Sequence, residues 1–236
     1  NAAFIESALF IVGNKSGKTI LFKMQFDEGR SDTNQTYVTR LDFRFTETEC
    51  SRSYNATTNV STITIPYALS SPFIVTRGTN SGEIIPVTGS GTTLTVTGKN
   101  LNTTDFYVGE QYSMTYEFSE PTLKEPTAGG GRVAIAGGRL QIKHWILRFQ
   151  DSGFFTVKVS NRITGVESDH VFTGRLIGGG SNIIGSTKTS SGDFRFPVMI
   201  KANNAVVKIT SDSHLPCQFL SAEWEGNMHL RSRRVN

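Results

Sequence analysis

The chain has 236 residues, enough to bury the core of one large β domain or of two smaller ones. Thr, Ser, Val, Ile, Phe and Gly are abundant, and this composition favours strands and turns over helices. The net charge of +4 is too small for the diffuse basic face with which proteins hold nucleic acid by counterion release. No apolar run approaches the ~18 residues of a membrane-spanning helix, so none is predicted.

The first half of the chain reads as short strands separated by turns. Apolar runs at residues 8–12 and 19–26 flank a Gly-Asn-Lys-Ser-Gly turn, which predicts a hairpin. This turn is one residue too short for a phosphate-binding P-loop and is followed by a strand pattern rather than a helix. Residues 37–45 alternate between apolar and polar and predict a half-solvated strand. Further strands are predicted near residues 61–65, 73–75, 83–87, 92–97 and 106–118.

The second half opens with residues 121–131, where two prolines and three consecutive glycines predict a linker. Residues 139–149 and 154–159 predict two strands joined by a hairpin turn at residues 150–153. The apolar pattern changes near Trp145, which predicts a bulge or a strand covered on both sides. A glycine-rich loop at residues 174–185 and alternating strands near residues 194–200, 207–209 and 217–221 follow. No window has a period of 3.6, so the prediction is an all-β fold of two β-rich units in series, residues 1–108 and 109–236.

The sequence contains no convincing catalytic or metal-binding constellation. Ser152 lacks the strand–elbow–helix context of a hydrolase, and the four histidines do not have metal-ligand spacing. Glu223 and Glu225 lie two residues apart, which leaves an acid/base pair for glycoside hydrolysis as a weak alternative. Cys50 and Cys217 are predicted to be thiols, although one disulfide is compatible with the sequence. The prediction is a protein without catalytic activity, cofactor or metal.

Positive charge is concentrated at the C-terminal end. Through residue 108, nine Lys and Arg balance nine Asp and Glu, whereas from residue 109 onward 15 cations face 11 anions. Arg231, Arg233 and Arg234 supply +3 of the difference. The body of the protein is therefore nearly neutral and its end is basic.

Four runs in the second half form a recognisable series. They are Gly138-Arg139-Leu140-Gln141-Ile142 with residues 149–157, Gly192-Asp193-Phe194-Arg195-Phe196-Pro197-Val198, residues 209–213 with Pro216-Cys217, and Ala222-Glu223-Trp224-Glu225-Gly226-Asn227 with the arginines that follow. In this order and spacing they resemble the C-terminal end of the tail tubular protein B family, the nozzle proteins of short-tailed bacteriophages. The resemblance covers roughly residues 107–236, and the first half is placed by its position alone.

The resemblance implies a structural role in the virion tail. Members of this family form a ring, in six copies, beneath the ring of the adaptor, tail tubular protein A. The nozzle ring continues the channel through which double-stranded DNA leaves the capsid, and tail fibres dock near the junction. The implied architecture is a propeller-like body or fibre-dock region in residues 1–108, followed by a β-sandwich-like platform domain in residues 109–236. No sequence-specific DNA binding is implied.

The expected function is therefore assembly, and the candidate site residues are those suited to subunit or adaptor interfaces. Arginine makes bidentate contacts with carboxylates, and tryptophan is enriched in interface cores. The candidates are Trp224, Arg231, Arg233, Arg234, Arg139 and Arg195. A solvated C-terminal tail and a place for Trp224 in the core of its own sheet are alternatives. The alternative functions are a carbohydrate-binding fibre or adhesin domain and a polysaccharide-degrading tail enzyme.

Overall fold

The computed structural model describes residues 2–5, 8–15, 17–25, 35, 37–78, 81–135, 138–174 and 187–230. Within these residues the regular structure is β-strand, apart from 3-10 structure at Gly78 and in the short helix Ala202–Asn204. The predicted all-β fold is confirmed. The described residues also contain no helix with the length and hydropathy that crossing a membrane would require.

The described chain divides into two compact units. The first unit contains the described residues up to Tyr112, together with residues 187–188 and Ser213–Pro216. The second unit contains the other described residues from Ser113 onward. The chain therefore leaves the first unit after Tyr112 and contributes short segments to it again later.

In its described residues the first unit contains three antiparallel sheets, ordered β1-β2-β3, β4-β10-β7-β8 and β5-β6-β9. An apolar cluster that includes Ile63, Leu94 and Phe106 is buried among the strands of the last two sheets. The strands are β1 (Ala2–Ile5), β2 (Ala8–Lys15), β3 (Lys18–Gln25), β4 (Asp42–Thr46), β5 (Ser51–Asn55), β6 (Val60–Leu69), β7 (Pro72–Thr76), β8 (Ile84–Ile85), β9 (Gly91–Thr97) and β10 (Phe106–Glu110).

The hairpin predicted around the Gly-Asn-Lys-Ser-Gly turn is confirmed by the pairing of β2 with β3. Val12 lies opposite Leu21, and the pairing continues to Lys15 and Lys18 at the turn. Gly17 has a φ of 77°, a left-handed conformation that glycine adopts without a steric cost. Its N–H donates to Oδ1 of Asn14 at 3.2 Å, which closes the turn.

The strand predicted for residues 37–45 is shorter than expected, because β4 covers only Asp42–Thr46. Tyr37 and Thr39 are buried as the alternation predicted, but they lie in irregular backbone. The amide of Gln35 donates to the carbonyl oxygen of Tyr37 at 2.8 Å, and Arg44 donates to that of Thr39 at 2.9 Å. Side chains therefore satisfy the backbone groups that a neighbouring strand would otherwise bind.

Two larger sheets and a small hairpin make up the second unit in its described residues. The sheets are ordered β11-β18-β15-β16 and β17-β14-β19, and β12 pairs with β13 in the hairpin. Both sheets contribute to one buried apolar cluster, which gives the unit a sandwich-like core. The strands are β11 (Met114–Glu117), β12 (Lys124–Pro126), β13 (Arg132–Ala134), β14 (Gly138–Ser152), β15 (Phe154–Asn161), β16 (Glu167–Thr173), β17 (Ser190–Pro197), β18 (Ala205–Ser211) and β19 (Gln218–Leu230).

The hairpin predicted at residues 150–153 is wrong, because β14 and β15 belong to different sheets. β14 pairs with β17 and β19, whereas β15 pairs with β16 and β18. The strands meet through side chains instead, with the rings of Phe149 and Phe155 5.5 Å apart. Each of the two strands has one apolar face. Packing the two sheets face to face buries both apolar faces, whereas pairing β14 with β15 in one sheet would leave them exposed.

The linker predicted for residues 121–131 is also wrong in its local structure. β12 and β13 flank the glycines, and the Thr127 N–H donates to the carbonyl oxygen of Gly131 at 2.9 Å. By contrast, the bulge predicted near Trp145 is confirmed by a register shift between Ile142 and His144. The predicted glycine-rich loop at 174–185 lies, after its first residue, outside the described residues.

Candidate assembly surface

The outer face of the β17-β14-β19 sheet carries charged side chains on each strand, with the apolar Ile146 between His144 and Arg148 on the central one. The apolar residues of these strands alternate with polar ones, and the apolar set packs into the buried cluster of the second unit. The polar set consequently projects from the opposite face. We call this face the charged face; its charged members and histidine are His144, Arg148, Asp193, Arg195, Glu223 and Glu225.

One end of the charged face is held by an ion pair between Arg148 on β14 and Asp193 on β17. These residues lie opposite each other in the ladder. Nε of Arg148 donates to Oδ1 of Asp193 at 2.9 Å, and Nη2 donates to Oδ2 at 3.4 Å. This side-chain hydrogen bonding raises the pKa of Arg148 and lowers the pKa of Asp193. Both groups therefore stay charged over the physiological pH range.

The other end is a three-residue cluster across all three strands. Nε2 of His144 lies 2.8 Å from Oε2 of Glu225, its neighbour on β19. Nη2 of Arg195 lies 2.7 Å from Nε2 and 3.2 Å from Nδ1 of the same ring. Nε2 cannot donate to Glu225 and accept from Arg195 at the same time, so when Nε2–H donates to Glu225 the ring nitrogen that accepts from Arg195 is Nδ1. His144 is almost buried, so this cluster fixes an exposed carboxylate and an exposed guanidinium on the surface.

Trp224 points to the opposite side of β19 from Glu223 and Glu225. It lies opposite Trp145 in the ladder and is partly buried against the apolar cluster. A steric constraint explains why a glycine, Gly226, ends the Trp-Glu-Gly motif. A Cβ atom on Gly226 would lie 2.4 Å from the carbonyl oxygen of Gln141, so β14 and β19 approach there only because the side chain is absent.

Of the predicted arginines, only Arg139 and Arg195 lie in the described residues. Arg195 belongs to the charged face. Arg139 is exposed near the start of β14. It lies seven residues before Ile146, which pairs with Arg195, so Arg139 and Arg195 are about 23 Å apart along the strand direction. Arg139 lines a separate cleft of about 270 Å³ with Leu123 and Met228 among its walls. Arg231, Arg233 and Arg234 lie outside the described residues.

Sequence reasoning had not singled out His144, Arg148 and Asp193. Their alternation with the apolar residues of β14 and β17 is the sequence pattern that indicates their position on the outer face. The pairing that makes Arg148 a neighbour of Asp193 joins positions 45 residues apart, which no local pattern reveals.

The titratable and thiol side chains of the described residues bear on two further kinds of chemistry, metal binding and thiol reactivity. No group of three or more His, Cys, Asp or Glu side chains is placed to hold a metal ion in that part of the chain. Neither Cys50 nor Cys217 forms a disulfide. Burial raises the pKa of Cys50 to about 11, so its reactive thiolate form is scarce at neutral pH.

Comparison with known proteins extends these observations. A family model described as bacteriophage nozzle protein matches residues 1–235. The tail tubular protein gp12 of Escherichia phage T7 is 27% identical over 241 residues, an alignment that covers 98% of this chain and 30% of that protein. The chain thus spans less than a third of the length of this relative.

Proposed function

Because the chain belongs to the bacteriophage nozzle protein family and is a structural part of the phage tail, we propose that it forms one sector of a nozzle ring. The ring, of six copies, continues the DNA-ejection channel below the adaptor and helps to hold the tail fibres. The family predicted from the motifs of the second half is confirmed, and the match also includes the first half. That match over residues 1–235 is the observation that carries the proposal.

The electrostatics of the described residues support a conduit rather than a DNA-binding surface. Each phosphate neutralised by Lys or Arg adds affinity, and tight binding would slow the passage of DNA. Arg148 is paired with Asp193, and Arg77 forms an ion pair with Glu47. Cations engaged by carboxylates of the same chain attract phosphates less strongly, and this agrees with the small net charge of +4.

A structural role without catalysis is part of this proposal. The Glu225 carboxylate, which a glycosidase mechanism would need as an acid or base, is engaged with His144. Depolymerase activity of the purified protein that is lost on replacing Glu223 or Glu225 with Gln would contradict the proposal. Specific binding to a glycan array would instead favour the carbohydrate-binding alternative.

Electron microscopy of purified tails tests the proposed function directly. Image averages are expected to show the protein as a ring around a channel wide enough for double-stranded DNA, between the adaptor and the tip. Particles in which this protein lies on the periphery, away from the channel, would contradict the proposal. A monomeric protein in solution would not, because ring formation on the adaptor template is compatible with the proposal.

A further inference from the structure

We infer that neighbouring copies join by pairing the outer edge of β19, between Phe219 and Leu230, with the outer edge of β17 from the next copy, so that the sheet continues around the ring. This inference rests on the proposed ring and names the surface that closes it. It concerns the β17-β14-β19 sheet, whose two outer strands pair only with β14 in the described part of the chain.

The edge of β19 lacks two of the usual devices that prevent edge pairing, proline and lysine, although it carries two glutamates and a bulge. Natural edges are short, or carry Pro and Lys, because unpaired backbone groups recruit other strands. β19 is 13 residues long and contains neither Pro nor Lys. The other described edges of the second unit's large sheets are shorter, with 4 residues in β11, 7 in β16 and 8 in β17. Among these described edges, the longest is therefore one without Pro or Lys.

An exposed apolar side chain lies on the same edge strand. The register of β14 and β19 shifts between Arg148 and Phe149, which leaves Leu220 without a ladder partner. The side chain of this bulged residue is 58% exposed. A strand added beside β19 would cover part of that surface.

Charge favours β17 over a second β19 as the partner strand. On the charged face, the β19 row carries the carboxylates Glu223 and Glu225, whereas the β17 row carries Arg195 together with Asp193, whose charge is balanced by Arg148. Pairing β19 with β17 of a second copy places Arg195 of that copy beside an acidic row. Pairing two β19 edges would bring two acidic rows together, and like charges that face each other across strands are destabilising.

The directions of the strands are compatible with a closed ring. β17 and β19 both run antiparallel to β14 and hence parallel to each other. A rotation about an axis that runs roughly along the strands therefore brings β19 of one copy beside β17 of the next in a parallel pair. Such head-to-tail contacts use two different surfaces of each copy and close into rings when the rotation permits.

Site-specific photo-crosslinking in assembled tails tests this joint. A benzophenone side chain replaces Glu223 in one variant and Ser221 in a second, so that one variant keeps both carboxylates. Val171 on β16 is the matched control, because it is 56% exposed on a different sheet edge. After irradiation, denaturing gels separate inter-chain products from intra-chain ones, and mass spectrometry identifies the linked peptide.

We expect a ladder of covalent oligomers from positions 221 and 223, linked to residues 190–197 of the neighbouring copy, in several-fold higher yield than from position 171. If microscopy shows a ring but both positions link elsewhere, or form no inter-chain product, the joint is wrong and the proposed function stands. If the tails contain no ring of this protein, both are wrong.

Discussion

At the scale of single residues, His214 shows how burial controls a charge. Its side chain is only 5% exposed, and its ring centre lies 5.6 Å from that of Phe73. Nε2 has no hydrogen-bond partner among the described residues. Desolvation by this burial lowers the pKa of His214 from 6.5 to about 4.

This shift predicts acid sensitivity of the folded chain. Above pH 6.5, the pKa of His214 in the unfolded chain, neither the folded nor the unfolded chain binds a proton at this ring. As the pH falls from 6.5 towards 4, only the unfolded chain binds it, and the folded chain loses stability. The linkage relation gives a loss of about 2–3 kcal/mol between about pH 7.5 and about pH 4.5. Urea unfolding at the two pH values should show this loss in the native chain and not in His214→Phe. The matched control is His229→Gln, which replaces an exposed histidine, and the loss assigned to His214 should persist in it.

The close approach of β14 at Gly226 predicts that adding a single methyl group there destabilises the fold. An added Cβ would lie 2.4 Å from the carbonyl oxygen of Gln141, so one strand must move at the bulge. Gly226→Ala should lower the free energy of unfolding by about 1–3 kcal/mol, the usual range for overpacking. The neighbouring Asn227 is exposed, and Asn227→Ala should change it by less than about 0.5 kcal/mol. Equal unfolding midpoints for both variants would contradict the steric account.

At the scale of elements, Phe155 joins the two large sheets of the second unit. It is fully buried on β15 and touches the rings of Phe149, Phe194 and Phe219 from the opposite sheet. Phe155→Ala should destabilise this unit by about 3–5 kcal/mol, because it removes a buried ring and leaves a cavity. Val171→Ala, at an exposed position of β16, should cost less than about 0.5 kcal/mol. Denaturant unfolding followed by circular dichroism measures both, and a small loss for Phe155→Ala would mean that the layers do not depend on this contact.

The same elements show what the sequence could predict. Period-two alternation identifies strands such as β18, where residues 205, 207, 209 and 211 are buried, because burial on one face needs only local spacing. It does not say which strands pair. The turn between β14 and β15 looked like a hairpin, yet the strands lie in facing sheets, since pairing is decided by distant partners such as β18 and β19.

The candidate site was predictable to the same extent. Trp224 and Arg195 were selected from motifs, but their surroundings depend on strand register. Register places Trp224 beside Trp145 on the inner face and Glu225 beside His144 on the outer face. A shift of one residue would exchange these faces. The cluster of Arg195, His144 and Glu225 therefore follows from the fold and from no single sequence segment.

At the scale of the whole molecule, charge distribution separates assembly from DNA binding. The net charge of +4 is carried mostly by Arg231, Arg233 and Arg234. If these arginines bind carboxylates of a neighbouring copy or of the adaptor, their loss should affect tail assembly. If they serve only as solvated charge, any equal loss of charge should have the same effect.

Replacing all three arginines with Ser separates these cases. We expect a marked loss of assembled tails in electron micrographs, because bidentate Arg–carboxylate contacts at a desolvated interface are stronger than exposed ion pairs. The matched control changes Lys124, Arg132 and Arg162 to Ser, which removes the same +3 from exposed positions of the second unit. Normal assembly of the first variant, or equal losses in both, would show that the C-terminal arginines act through net charge alone or not at all. A loss confined to the first variant would assign them to a specific contact within the tail.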